Sequence, residues 1–208
     1  MLGSGSLQYE TGERMTELAE IEAGEPFVFG VRRDRERRLA ELARDTVGAA
    51  YLRGDFVLSS GARSNYYFDK YLFETKPGIL RRLASFLAEL VPPETDRIAG
   101  TELGAVALAT ALSLETGLPF VIARKGSKAY STARLVEGEL YPGERVVLIE
   151  DVISTGSQAI RAAERIVDAG ARVIGILAVI DREQGGTEAI SAAGFTLSTL
   201  FSRSGLGL

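Results

Sequence analysis

The stretch VVLIEDVISTGSQAIRAAERIVDAGARVIGILAVID, residues 146–181, decides the architecture. It opens and closes on apolar runs too short for buried helices and rich in Val and Ile. Between them, at about 156–169, apolar residues recur at helical spacing. The two runs are continuous rather than alternating, as expected of strands covered by helices on both faces, which is how parallel sheets are built. Working outward, the alternation continues. Upstream come RIAG (97–100), a helix over about 104–116, PFVIAR (119–124) and a polar loop to about 138. Downstream come a short helix near 187–193 and FTLSTLF (195–201). The pattern predicts an α/β fold with a doubly wound, mostly parallel sheet flanked by helices. Ligands of such sheets bind beyond the carboxyl ends of the strands, so the informative residues should follow Gly100, Arg124, Asp151 and Asp181.

The N-terminal part reads differently. Residues 1–33 combine a Gly/Ser-rich start with an acidic segment and are expected to form an arm, to which no chemistry is assigned. From Asp34, a candidate N-cap, Leu39, Leu42, Ala43, Val47 and Ala50 share one helix face, with Gly54 as a stop. Extended segments at 56–58 and 66–69, joined by the turn-forming SSGARSN, predict a small β element. Pro77 sits where a first-turn proline belongs, and the following helix ends before Pro92-Pro93. A helix/β hood over about 34–75 and a core over about 76–208 are thus expected.

Composition removes much chemistry. The 208 residues hold no histidine and no cysteine, which excludes imidazole-based triads, thiol nucleophiles, redox CxxC pairs and His/Cys zinc sites. Carboxylate, lysine, arginine, tyrosine and hydroxyl chemistry remain, with an oxygen-ligated cation such as magnesium. A net charge of -4 argues against a general nucleic-acid surface. The longest apolar stretches, 105–114 and 173–180, fall short of the ~20 residues that span a bilayer, and no secretory leader is evident. A cytoplasmic protein is expected.

The acid pair Glu150-Asp151 ends a buried strand, and Ser154-Thr155-Gly156-Ser157 then opens an amphipathic helix. Backbone N–H groups, the positive end of the helix dipole and the hydroxyls of Thr155 or Ser157 converge there on an anion, and a phosphate fits. Gly156 permits close backbone approach. Acids beside a phosphate site are explained by hydroxyls or a cation bound next to it, and a phosphorylated sugar offers both. The Gly-Lys-Ser/Thr ending of a Walker A loop is absent.

A second segment, RKGSKAYSTARLVEG (124–138), holds two of only four lysines in a chain with 20 arginines. Its length and small residues suggest a mobile loop able to close on a polyanion with Arg124, Lys125 and Lys128 as donors. Third, Arg182 follows the last long apolar strand, where its fork suits a carboxylate or imide edge.

VVLIEDVISTGSQ (146–158) resembles the phosphoribosyl pyrophosphate (PRPP) signature of type I phosphoribosyltransferases. The resemblance implies that Glu150 and Asp151 take the ribose hydroxyls, that Ser154, Thr155, Gly156, Ser157 and Gln158 take the 5-phosphate, and that Val152 and Ile153 belong to the same PRPP site. Both acids can reach one sugar only if the chain bends at the pair. The 124–138 segment is similar to the catalytic loop of the orotate-specific members, with Arg124, Lys125, Lys128 and Tyr130 as further PRPP-binding residues and Lys128, Asp151 and Glu150 as the catalytic ones. FVLSSGARSNYYFDK (56–70) is similar to their substrate hood, placing Tyr66, Tyr67 and Phe68 by the pyrimidine, with Arg182 and a hydroxyl from Ser154 on orotate. GTELGAVALA (100–109) matches the pyrophosphate loop; Gly104 stands where some members carry lysine or threonine, so backbone amides are expected to take more of that contact.

The likeness runs from about residue 36 to 201. It implies PRPP-dependent transfer to orotate, magnesium bound mainly through the substrate rather than by protein ligands, and a homodimer sharing loop 125–138 between subunits. A purine-specific enzyme of the same superfamily and a non-catalytic PRPP-binding regulator are the alternatives.

Overall fold

The structure, a computed structural model, describes residues 26–57, 61, 63–126 and 135–208. Two units are distinguished, residues 1–38 and residues 39–208. Of the first, the described part is the beginning of helix α1 (Pro26–Ala50), which carries an Arg37–Asp34 ion pair of 2.5 Å on an exposed face.

The second unit begins with the rest of α1 and continues through strands β1 (Tyr51–Val57) and β2 (Arg63–Phe68), an antiparallel pair. Helices α2 (Lys70–Glu74) and α3 (Pro77–Ala88) follow. The remainder alternates: β3 (Arg97–Thr101), α4 (Gly104–Thr116), β4 (Phe120–Ala123), the two-residue β5 (Val136–Glu137), β6 (Arg145–Ile153), α5 (Ser157–Asp168), β7 (Arg172–Asp181), α6 (Gly186–Ala192) and β8 (Leu197–Ser202). The main sheet has the order β5-β4-β3-β6-β7-β8, parallel except for β5 at one edge.

Side-chain alternation along the strands splits the core in two. Val147 and Ile149 of β6 face one layer with Leu42 of α1, Phe73 of α2, Leu83 and Leu87 of α3, and Leu108 and Leu112 of α4. Val146 and Leu148 face the other with Ala162, Ala163 and Ile166 of α5 and Ile190 of α6. Helices on both faces are why the strands read as unbroken apolar runs. From β3 the chain first moves outward to β4, then returns to place β6 on the other side of β3. The winding therefore reverses between β3 and β6, and the crevice at their carboxyl ends is the expected ligand position.

Three local expectations are corrected. Asp34 is no N-cap, because α1 starts eight residues earlier at Pro26, where proline's missing N–H and fixed φ suit a first helical position. The arm expected over 1–33 therefore ends inside this helix. Gly54 does not stop the helix either. It lies within β1, which pairs with β2 from Tyr51↔Phe68, at the irregularity between Arg53 and Phe56 where the register shifts.

Candidate active site

Strand β6 carries the acid pair, and its pairing with β7 continues through Val152↔Ile180 to Ile153↔Asp181. The chain does not turn at the pair. Glu150 and Asp151 therefore point to opposite sides of the strand. Glu150 lines a hollow with Ser154, Thr155, Gly156, Ser157 and Gln158. It is buried, and its Oε1 has no hydrogen-bond partner. Burial, then the neighbouring Asp151, push its carboxyl up to about 7, while Thr101, Lys70 and Lys125 pull the other way. A buried acceptor left without a donor costs free energy unless a ligand supplies one, and a sugar hydroxyl would.

The phosphate side of this hollow is built by backbone. Gly156 caps α5 with φ +74 and offers no side chain to its N–H groups, so the first-turn amides remain for an anion. The hydroxyls of Thr155 and Ser157 lie 3.1 Å apart at its rim. A Cβ on Gly156 would sit 2.9 Å from the Gly186 carbonyl oxygen, so the loop keeps its shape only with glycine there. Gly156→Ala should cost about 1 to 3 kcal/mol through left-handed strain and weaken PRPP binding more than orotate binding; thermal melts and separate ligand titrations check both.

Asp151 faces the other way. Its Oδ1 accepts from the Val152 N–H at 2.6 Å, and its Oδ2 accepts from Lys70 Nζ at 2.5 Å. Its side chain is 3% exposed. It adjoins the β3–α4 turn, where the Glu102–Leu103 peptide is cis.

A second, more apolar hollow lies beside the first. Tyr66, Phe68, Val152, Ile180, Arg182 and Arg203 line it. Val152 borders both hollows, so a ligand spanning them passes over this one side chain. Of the three hood aromatics, Tyr66 and Phe68 face the hollow. Tyr67 alternates to the other side of β2, is 43% exposed, and packs its ring 5.6 Å from Phe56. Ser154 lines the phosphate hollow rather than the aromatic one. The acids flanking Arg182 are engaged elsewhere. Asp181 accepts from Thr187 Oγ1 at 2.8 Å, and Glu183 accepts from the Ser204 N–H and hydroxyl at 2.8 and 2.7 Å.

The base of the basic loop is pinned from both ends. Arg124 donates to Glu137 at 3.1 Å and lies 3.8 Å from Glu102. The Lys125 N–H donates to Glu102 at 3.0 Å. Arg165 of α5 donates to the carbonyls of Arg124 and Lys125. Lys125 itself is exposed. Lys128 and Tyr130, the two further loop residues expected at the substrate, lie outside the described residues.

Sequence reasoning missed Arg165, Arg203, Lys70 and Glu74. Only Lys70 carried a signal, as one of four lysines; the others take their places through tertiary packing.

Known proteins share this sequence and fold. Residues 74–198 match the phosphoribosyl transferase domain. The chain is 40% identical to an orotate phosphoribosyltransferase of Methanocella arvoryzae over 171 residues, 82% of this chain and 97% of the relative. It is 48% identical to that of Pyrococcus abyssi over 150 residues, 71% and 82% of the two chains. Among solved structures, orotate phosphoribosyltransferase of Mycobacterium tuberculosis in complex with 5-phospho-alpha-D-ribosyl 1-diphosphate superposes with a TM-score of 0.71 at 30% identity, covering 82% of this chain and 99% of that one. Identity of this order over nearly the whole of a relative, on a fold whose crevice holds the two adjoining hollows, settles the matter: the chain belongs to the orotate phosphoribosyltransferases of the type I phosphoribosyltransferase family.

Proposed function

We propose that this chain transfers the 5-phosphoribosyl group of PRPP to orotate, giving orotidine 5-monophosphate and pyrophosphate, a step of pyrimidine nucleotide biosynthesis. The observation that carries the reading is the adjacency of a phosphate-type hollow and an aromatic, arginine-bearing hollow across Val152. The 5-phosphate seats on the 154–158 loop, and Glu150 accepts hydroxyl hydrogens of the ribose. Orotate lies against Tyr66 and Phe68 with its carboxylate or imide edge toward Arg182. A ring nitrogen of orotate attacks C1 with inversion as the C1–O bond to the diphosphate breaks; that bond's electron pair leaves with pyrophosphate, and the proton of the attacking nitrogen passes to the departing pyrophosphate or to water. Cations of the 124–138 loop, Lys128 foremost, neutralise the charge that develops on the leaving group.

Magnesium fits as a substrate-borne ion. The unpartnered Glu150 oxygen suits a hydroxyl that such an ion polarises. Bound to diphosphate and hydroxyls, magnesium would supply charge neutralisation to the leaving group. A homodimer sharing loop 125–138 between subunits, and a cytoplasmic location, belong to the same proposal; among the described residues no helix is long and apolar enough to cross a membrane.

A purine lacks the negative charge that two arginines around the second hollow favour, which sets orotate ahead of the purine alternative. Loss of orotate absorbance in the presence of PRPP and magnesium is the expected result, with adenine, guanine and uracil unconverted. Turnover of a purine without turnover of orotate would replace the substrate assignment. PRPP binding without turnover of any base would make the chain a regulator.

A further inference from the structure

Lys70 stands apart from the loop lysines. It opens α2 in the connection between hood and core, and its ammonium reaches across to the crevice between β3 and β6. The space it uses exists because residue 104 has no side chain. A Cβ built on Gly104 would come within 1.6 Å of Asp151 Oδ2 and 3.0 Å of Lys70 Nζ. The ammonium thus lies where a side chain from the first position of α4 would begin. Among the described residues its one hydrogen bond is to Asp151 at 2.5 Å, and an ammonium carries three donors. Its side chain keeps 32% of its surface exposed against 3% for Asp151, so the remaining donors face the open side.

What fixes the cation lies behind it. Asp151 is held by the Val152 N–H, and Glu74, one turn beyond Lys70 on α2, is buried with an unpartnered Oε1. Burial and then Asp151 push the Glu74 carboxyl up to about 8, so at neutral pH Glu74 is a neutral acid behind the Lys70–Asp151 ion pair. Burial disfavours the Lys70 ammonium, but Asp151 outweighs it and holds its pKa above the usual lysine value.

PRPP bears anions at both ends of its ribose. With the 5-phosphate on the 154–158 loop and Glu150 on the hydroxyls, the diphosphate must leave on the far side of the sugar, toward the carboxyl end of β3. Gly104 opens α4 there, without a side-chain cap on its first-turn amides. We propose that Lys70, anchored by Asp151 in the space over Gly104, is a diphosphate-binding residue of the PRPP site, so that the pyrophosphate is gripped by a cation from the hood connector. This rests on the PRPP-dependent function proposed above.

The test compares Lys70→Met and Lys70→Gln, the latter keeping a neutral donor for Asp151, with Lys70→Arg as the charge-restoring variant. Far-UV circular dichroism and melting temperature confirm that each is folded. Calorimetric titration then uses three probes, each with magnesium: PRPP, inorganic pyrophosphate and ribose 5-phosphate. The expected result is an affinity for PRPP and pyrophosphate lowered at least ~10-fold in Met and Gln, largely recovered in Arg, with ribose 5-phosphate unchanged within about twofold. Equal weakening of all three probes would reduce Lys70 to a support for Asp151 and overturn the proposal, as would unchanged binding of all three. Wild-type protein that binds PRPP but leaves orotate unconverted overturns the orotate reading alone, while the Lys70 variants still decide the diphosphate assignment. Wild-type protein that binds no PRPP overturns both.

Discussion

Lys128→Ala is expected to lower kcat by about 100- to 1000-fold, or ~3 to 4 kcal/mol of transition-state stabilisation, while leaving KM for orotate within a few-fold. The size follows from the reaction. Charge builds on the departing diphosphate only as the C1–O bond breaks, so a donor that meets it at that moment acts on kcat more than on ground-state binding. The residues at the base of the loop have partners of their own. Arg124 is committed to Glu137 and Glu102, and Arg165 clasps the backbone at Arg124 and Lys125. In the proposed reaction the loop would also exclude water, which would otherwise hydrolyse PRPP. Steady-state kinetics with saturating PRPP check the value; near-normal kcat would remove Lys128 from the mechanism. Mixing Lys128→Ala protomers with Glu150→Gln protomers, each impaired alone, should raise activity above that of either parent if the loop serves the neighbouring subunit. No recovery, once subunit exchange is shown, would place the loop on its own subunit's site.

Much of this arrangement is legible in the sequence because the determinants are local. A Val/Ile run ending in Glu150-Asp151 and followed by small residues announces a strand, a turn and a helix start within thirteen residues, and β6 and α5 lie where that reading puts them, to within a residue or two. Arg182 at the end of an apolar run is equally direct. Pairing across long separations is harder. Nothing near Tyr51 says that it will pair with Phe68 and so end the helix ahead of Gly54, and the five-residue α2 is too short to show a period. The start of α1 was hidden because residues 26–31 are mostly apolar and give no polar face to read. The hood aromatics show a different limit. Consecutive residues of a strand face opposite ways, so three neighbours cannot all line one hollow, and the run Tyr66-Tyr67-Phe68 already implied that the middle one would be turned away.

The same alternation governs the acid pair, and its consequence is a pH dependence in a protein without histidine. Because β6 runs straight through, Glu150 alone faces the phosphate hollow, buried and beside the charge of Asp151, with its carboxyl pushed up to about 7. Acceptance of ribose hydroxyls needs the carboxylate. The kcat/KM for PRPP, which reports the free enzyme, should therefore fall about tenfold per unit as pH drops below about 7, approaching 100-fold between pH 8 and pH 5. The substrate's own phosphates also titrate near 6, so the decisive comparison is Glu150→Gln. That variant should lose about 10- to 100-fold in kcat/KM at pH 8, the worth of hydrogen bonds to a charged acceptor, and retain only the shallower substrate-borne dependence.

Stability should run the other way. A carboxyl whose folded-state pKa is raised stabilises the fold below its unfolded value, near 4.5, and that contribution is lost as pH rises through the folded value. For Glu150 the loss spans about 4.5 to 7, and for Glu74 about 4.5 to 8. Wild-type protein should thus melt lower at pH 8 than at pH 6 while working faster, and Glu150→Gln should recover part of that melting temperature as it gives up activity. A wild-type pH profile unchanged by Glu150→Gln, or a variant that melts no higher than wild type at pH 8, would show that Glu150 does not enter the fold as a strained, ligand-seeking acid.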